Sequence, residues 1–282
     1  MKSVSTWKMV AVHLGLVLLT AAVLYPVLWV FKMALDPSQA FQTGISPWPE
    51  VFSLDNFVAV VSTEDGQGGW LFGRQVFNSV VVSMATAALG VSLSASAAYA
   101  LSRWRFPGKE GSISAFLVTQ MFPGVVMLIP LYILLDTVHL LDSLAGLALV
   151  YSTTSVPFSV WMLKGYFDTI PTELEEAAAL DGCSRIQTFV WVILPLARPA
   201  LAVVALFSFM TAWNEFILAA TLMGDQASYT LPIVLQRYVD NYGTQWGHFA
   251  AGSILVSIPV MVLFFALQKH FVEGLTAGSV KG

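Results

Sequence analysis

Residues 171–199 read PTELEEAAALDGCSRIQTFVWVILPLARP, and the reading of the whole chain turns on them. Thr172 followed by Glu175 is a capping-box pattern, which predicts a helix starting there. Glu173, Glu175 and Glu176 fall in its first turn, where acidic charge suits the helix dipole. Ala177 to Leu180 are strong helix formers. Gly182 fits the position just past a helix end, where left-handed backbone is common. Ser184 with Gln187 caps a second helix, predicted to end near Leu194 because Pro195 follows. The segment is therefore predicted as two short helices pivoting on Gly182. Ala177 and Ala178 give the first helix little bulk, so it can sit deep in a partner's groove. An interfacial or re-entrant helix without a partner is the alternative.

The flanking sequence places this segment at a membrane. Hydrophobic residues make up 57% of the 282-residue chain and charged residues only 11%, against roughly 25% charged in a soluble domain. Mean hydropathy is +0.74. The apolar residues gather in runs of a length that crosses about 30 Å of hydrocarbon as a helix. Six spans are predicted, at 9–31, 76–100, 113–135, 144–163, 200–222 and 250–268. Between the first two lies a polar stretch with Pro37, Pro47, Pro49 and a Gly-rich run at 66–69, read as a loop or small subdomain. The first apolar run is too long for a signal-peptide core, and Tyr25, Trp29 and Phe31 replace the small residues of a cleavage site. It is read as a retained span.

Basic residues orient the spans. With the N-terminus inside, ten of the 13 lysines and arginines fall on inner segments, and only Lys32, Arg74 and Arg237 fall outside. Both termini are predicted to be cytoplasmic, and so is the loop between the fourth and fifth spans.

Several residues inside the spans stand out. Gly90, Ser94 and Ala98 recur every fourth position, a spacing that lets helix backbones approach in lipid. Pro123-Gly124 and Pro130 interrupt the third span and Pro157 the fourth, either as ordinary kinks or as flexible pathway-lining segments. Tyr151 to Ser155 carry hydroxyls, read mainly as packing contacts. His13 is read as packed or snorkelling, and Cys183 as a small apolar filler. Glu215, beside Asn214 in the fifth span, is a costly ionisable group. It either lines a pathway or ties helices together; a structural or gating role is preferred.

Some chemistry is excluded. The formal charge of −4 gives no nucleic-acid footprint. The single cysteine and four scattered histidines form no metal motif, and no metal site is expected. No H-E-x-x-H and no G-x-x-x-x-G-K-[ST] occurs, so the chain is read as non-catalytic and not itself an ATPase. An autonomous secondary transporter or channel would show inverted repeats and more charges within spans.

Glu176-Ala177-Ala178, three residues, Gly182, nine residues, then Val192-x-Leu194-Pro195 resembles the EAA motif of binding-protein-dependent ABC importer permeases. Every spacing matches; Val192 stands where isoleucine is usual, and Asp181 before the glycine is also common in the family. The resemblance implies an all-α integral membrane protein with the type I ABC importer transmembrane fold and a cytoplasmic helix-turn-helix coupling loop at 168–199. The expected parts are residues 1–35 (cytoplasmic tail and first helix), 36–75 (extracytoplasmic loop), 76–268 (a five-helix core) and 269–282 (cytoplasmic tail). It further implies that Glu176, Ala177, Ala178, Asp181, Gly182, Leu194 and Pro195 form the contact with a cytoplasmic ATPase dimer. That dimer would bind ATP and Mg, with no cofactor in this chain. A second permease subunit, an extracytoplasmic sugar-binding protein and membrane lipid are the other implied partners.

Within the family the chain is most similar to the smaller maltose-type permease, over its whole length. Tyr229-Thr230-Leu231, Gln236 and Trp246-Gly247 resemble that subunit's last external loop, and residues 274–282 resemble its C-terminal tail, with Ser279 where glycine is expected. By that resemblance Asp240, Asn241, Tyr242 and Trp246 enter the cleft of the sugar-binding protein. Thr276, Gly278 and Lys281 reach the ATPase subunits. The implied substrate is maltose, maltodextrin or a related oligosaccharide, carried across an inner membrane; another small solute is the alternative.

Overall fold

The computed structural model describes residues 6–239 and 243–279, with side chains described from Trp7 to Lys269. Among the described residues the regular structure is helical. In chain order the helices are α1 (Thr6–Leu35), α2 (Asp55–Val61), α3 (Leu71–Arg103), α4 (Lys109–Met121), α5 (Leu128–Thr137), α6 (Leu144–Phe167) and α7 (Glu173–Leu180). They continue with α8 (Arg185–Thr188), α9 (Leu194–Leu196), α10 (Arg198–Trp213), α11 (Ile217–Leu222), α12 (Leu231–Arg237) and α13 (Trp246–Ser279). Four of them, α1, α3, α6 and α13, are long and apolar enough to cross a membrane, and two bent pairs bring the count to six.

Two of the expected spans are broken, the third at the prolines that interrupt it in sequence. The third is α4 and the segment Gly124–Thr137, set at 95°. Proline disfavours helical backbone in the residue before it, and Phe122 is indeed extended ahead of Pro123. A 3-10 turn over Gly124–Met127 then leads into α5. Pro130 lies in the first turn of α5, where an N–H would have no helical partner anyway. The fifth span, expected over 200–222, stops at Trp213 and resumes at Ile217. Pro157, by contrast, sits inside a continuous α6. The last helix runs past the apolar stretch to Ser279, through residues expected to form a separate tail.

The chain forms two compact units. One holds residues 1–73 and 234–258. In it the polar stretch after α1 is a small subdomain containing α2, and its pin is Asn56. The Asn56 amide donates to the carbonyls of Asp36 (2.7 Å) and Ala34 (3.1 Å) and accepts from Gln39 (2.6 Å). Gln39 in turn receives the backbone N–H of Trp246 and of His248 at the start of α13. Gly247 lies so near that a Cβ there would meet the Asn56 amide at 2.6 Å. Lys32, placed outside the first span from sequence, is buried within α1 and bonds the Gly44 carbonyl at 3.3 Å.

The other unit holds residues 74–233 and 259–282. Here α3, α6 and α10 pack on small residues. Ser94 and Ala98 are fully buried, and a Cβ on Gly90 would stand 2.5 Å from the Ser208 hydroxyl. Ser94 donates to the Val156 carbonyl across the α3–α6 contact at 3.3 Å. The four-residue stripe therefore does what such stripes do in lipid, bringing backbones together. One core gathers Tyr151, Leu147, Leu222 and Met223; a second gathers Leu163, Phe167, Ile193 and Ala197. Along α1, α4, α5 and α13 apolar side chains remain exposed, as expected of surfaces facing lipid or a partner.

Candidate functional site: the helix-turn-helix loop

The loop between α6 and α10 has the predicted shape. Gly182 has φ of 89°. The Gly182 N–H bonds the Ala179 carbonyl and the Cys183 N–H bonds the Ala178 carbonyl. Together these form a Schellman cap, which satisfies carbonyls that the end of α7 leaves over. Ser184 and Gln187 make the reciprocal capping box of α8: the Ser184 hydroxyl receives the Gln187 N–H and the Gln187 side chain receives the Ser184 N–H. The two helices are thus terminated and restarted within four residues by local hydrogen bonds.

Two local expectations are corrected. Thr172 does not cap α7 with its side chain. Its backbone is already helical (φ −69°, ψ −21°), whereas side-chain capping needs extended backbone at that position. Glu175, the expected partner of that capping box, turns inward instead. The second helix ends near Leu194 as expected, but Pro195 is not what stops it. It widens into a π turn over Phe189–Ile193 and continues through Pro195 to Leu196. The wider turn absorbs the donor that proline lacks. The chain then bends by 82° at Ala197 into α10. The loop helix accordingly lies across the axis of the span that follows it.

The tip of the loop is apolar and uncovered. Leu180 is 90% and Ile186 77% exposed on either side of Gly182. Glu176, Ala177, Asp181 and Gly182 are also exposed, while Ala178 is buried and Leu194 and Pro195 are half-buried. The residues expected to make the partner contact are therefore divided: one outward-facing group around Gly182, and a group at the far end built into the chain's own packing.

Behind the tip stands a polar network that sequence reasoning missed. Arg103, at the end of α3, pairs with Glu175 and donates to the Ile170 carbonyl at 2.9 Å. Tyr99 donates its hydroxyl to the other Glu175 oxygen at 2.7 Å. Ser102 donates to Asp168 (2.6 Å), which also pairs with Lys164 (2.6 Å). Burial raises the Asp168 pKa, but the bonds from Lys164 and Ser102 outweigh it and hold the carboxyl below its ordinary value. Arg103 and Glu175 are 72 positions apart. In sequence, Arg103 is one of several basic residues flanking an apolar run and Glu175 an ordinary first-turn acid, so neither carries a signal.

The remaining predicted residues are scattered. Glu215 sits in the break between α10 and α11, where its carboxylate accepts from the Tyr151 hydroxyl (2.9 Å) and from the N–H groups of Leu218 and Ala219. Asn214 is exposed and donates back to the Met210 carbonyl. Trp246 opens α13 with its ring edge-on to Phe41 at 5.0 Å. Asp240, Asn241, Tyr242 and Lys281 lie outside the described residues, and Thr276 and Gly278 fall on the last turns of α13. Asn78, another residue without a sequence signal, holds the segment before α12 through the Ala227 and Tyr229 carbonyls. Among the described residues no cluster of His, Cys, Asp and Glu is placed to hold a metal ion.

Comparison with known proteins agrees with this geometry. Residues 90–276 match the family described as binding-protein-dependent transport system inner membrane component. The chain is 39% identical over 288 residues to the maltose/maltodextrin transport system permease protein MalG of Escherichia coli K12, covering 96% of this chain and 95% of that protein. It is 36% identical over 267 residues to the diacetylchitobiose uptake system permease protein DasC of Streptomyces coelicolor, covering 94% and 95%. The trehalose transport system permease protein SugB of Mycobacterium tuberculosis is also 36% identical, over 261 residues, with 92% and 93% covered. In fold, the chain superposes on a chain of a bacterial ABC transporter involved in alginate import with a TM-score of 0.78 at 22% identity, over 96% of this chain and all of that one. With its membrane-spanning helices and its glycine-pivoted loop, the chain belongs to the family of binding-protein-dependent transport system inner membrane components.

Proposed function

We propose that this chain is one of two permease subunits of an importer that carries an oligosaccharide of the maltose and maltodextrin class inward across the cytoplasmic membrane. ATP is bound with Mg and hydrolysed in a separate ATPase dimer. The observation that carries this reading is the rigid, doubly capped loop with an uncovered apolar tip at Leu180 and Ile186. Exposed apolar side chains at a charged cytoplasmic surface call for a protein partner. The basic-residue bias puts this loop, and both termini, on the cytoplasmic side. The sugar assignment draws on the substrates named for the relatives, which are maltodextrins, diacetylchitobiose and trehalose.

Mechanistically, closure of the ATPase dimer displaces the docked loop and shifts the spans between two packed states. Glu176, Ala177, Asp181 and Gly182 face the ATPase, with Ala178 buried behind them and Leu194 and Pro195 holding the loop to α10. Thr276, Gly278 and Lys281 approach the same dimer. Asp240, Asn241, Tyr242 and Trp246 meet the sugar-binding protein outside, and Asn214 and Glu215 mark the helix break, where Glu215 ties α6 to α11.

The test is transport by the full complex in proteoliposomes with a panel of sugars. Maltodextrins are expected to stimulate hydrolysis and accumulate; a panel in which no sugar stimulates hydrolysis overturns the assignment. Gly182→Asp is expected to uncouple hydrolysis from transport, and a fully active variant removes the loop from its proposed role.

A further inference from the structure

Both arms of the loop converge on the last turns of α3. Tyr99 and Arg103 lie four residues apart, on one face of that helix. Arg103 pairs with Glu175 in α7, and Tyr99 binds the second oxygen of the same carboxylate. The Tyr99 ring also stacks on Phe189, at 4.7 Å between centroids and 27° between planes, where the π turn of the second arm begins. One turn of α3 thus holds the first arm by a carboxylate and the second by an aromatic face. Neighbouring glutamates point opposite ways: Glu175 inward and paired, Glu176 outward and exposed.

The covalent connections of the loop are compliant by comparison. It leaves α6 through non-helical residues around Ile170 and Pro171, and it meets α10 at the 82° bend. A displacement carried only by these joints would be taken up as bending. The Arg103–Glu175 pair has side chains only 10% and 18% exposed, so it is weakly screened, and charge-assisted hydrogen bonds fix direction as well as distance.

We propose that Arg103 and Tyr99 are positioning residues that clamp both arms of the loop to α3, so that displacement of the loop moves this span. The proposal rests on the reading of the loop as the ATPase docking site.

The experiment uses the complete complex in proteoliposomes and measures sugar transported per ATP hydrolysed, beside complex recovery. Arg103→Met and Glu175→Gln are expected to lower that ratio by about fivefold, the range of a lost coupling contact. The reversed pair, Arg103→Glu with Glu175→Arg, is expected to restore it. Should the single variants not assemble, Tyr99→Phe and Arg103→Lys decide: each removes part of the clamp and is expected to lower the ratio about twofold. An unchanged ratio in assembled variants, while Gly182→Asp uncouples, overturns the clamp and leaves the docking reading standing. An unchanged ratio in Gly182→Asp as well overturns the docking reading first. A ratio that falls without recovery in the reversed pair removes the pairing from the role.

Discussion

The Tyr151 hydroxyl donates to the Glu215 carboxylate at 2.9 Å, so a residue in the middle of α6 holds the acid that starts α11. The same carboxylate takes the N–H groups of Leu218 and Ala219 at 2.9 and 3.0 Å. These donors have no helical acceptor in the first turn. Glu215 therefore acts as the cap of α11 and as the tie between α6 and the broken span. The sequence left open whether this acid lines a pathway or joins helices; its hydrogen bonds favour the second.

Glu215→Ala is accordingly expected to lower stability by about 1–3 kcal/mol, because the buried Tyr151 hydroxyl and two N–H groups lose their acceptor. Tyr151→Phe is expected to cost less, since both backbone bonds remain. Thermal unfolding in detergent checks the order. Transport should fall in step with the folded fraction; transport lost at unchanged stability would assign Glu215 to the pathway instead.

Gly182 has open space around the position a Cβ would occupy, so its requirement is one of backbone conformation at φ of 89°. Gly182→Ala is expected to destabilise the loop by about 1–2 kcal/mol, the cost of left-handed backbone for an L-residue, and Gly182→Asn by less. Hydrogen exchange across residues 173–196 is the readout. Equal protection loss in the two variants would mean that the docking surface, not φ, demands glycine.

At Gly90 the requirement is space. A side chain there collides with Ser208 on α10. Gly90→Val is expected to cost about 1–3 kcal/mol through overpacking. Ser208→Gly in the same chain should recover part of it, as melting of the purified subunit would report. Recovery is the decisive outcome, because a general intolerance of valine would not respond to Ser208.

The Asp168 network adds a pH dependence. Its folded pKa lies below the ordinary 3.8, so its stabilisation is present above that value and disappears as pH falls through the folded pKa. The side chain is 43% exposed, so screening keeps the effect under about 1 kcal/mol. Asp168→Asn is expected to be less stable than the parent at pH 6, with the difference shrinking as pH falls below 3.8. A constant difference across that range would show that hydrogen bonding, not charge, matters there.

Sequence alone determined where the long apolar helices lie and the local shape of the loop around Gly182. Each of these depends on neighbours along the chain: apolar runs, the Gly182 turn, the Ser184–Gln187 cap. Local patterns also marked Pro123 as a break point, since proline restricts the residue before it. The tertiary structure decided everything that needs a distant partner. Glu175 scored as a capping residue until Arg103 and Tyr99, far away in the sequence, drew it inward. Pro195 scored as a helix end until a π turn relieved it. Glu215 showed only its cost, because the donors that repay it come from two different helices. Local hydrogen bonds are written in adjacent residues; which buried polar groups meet is settled only when the helices pack.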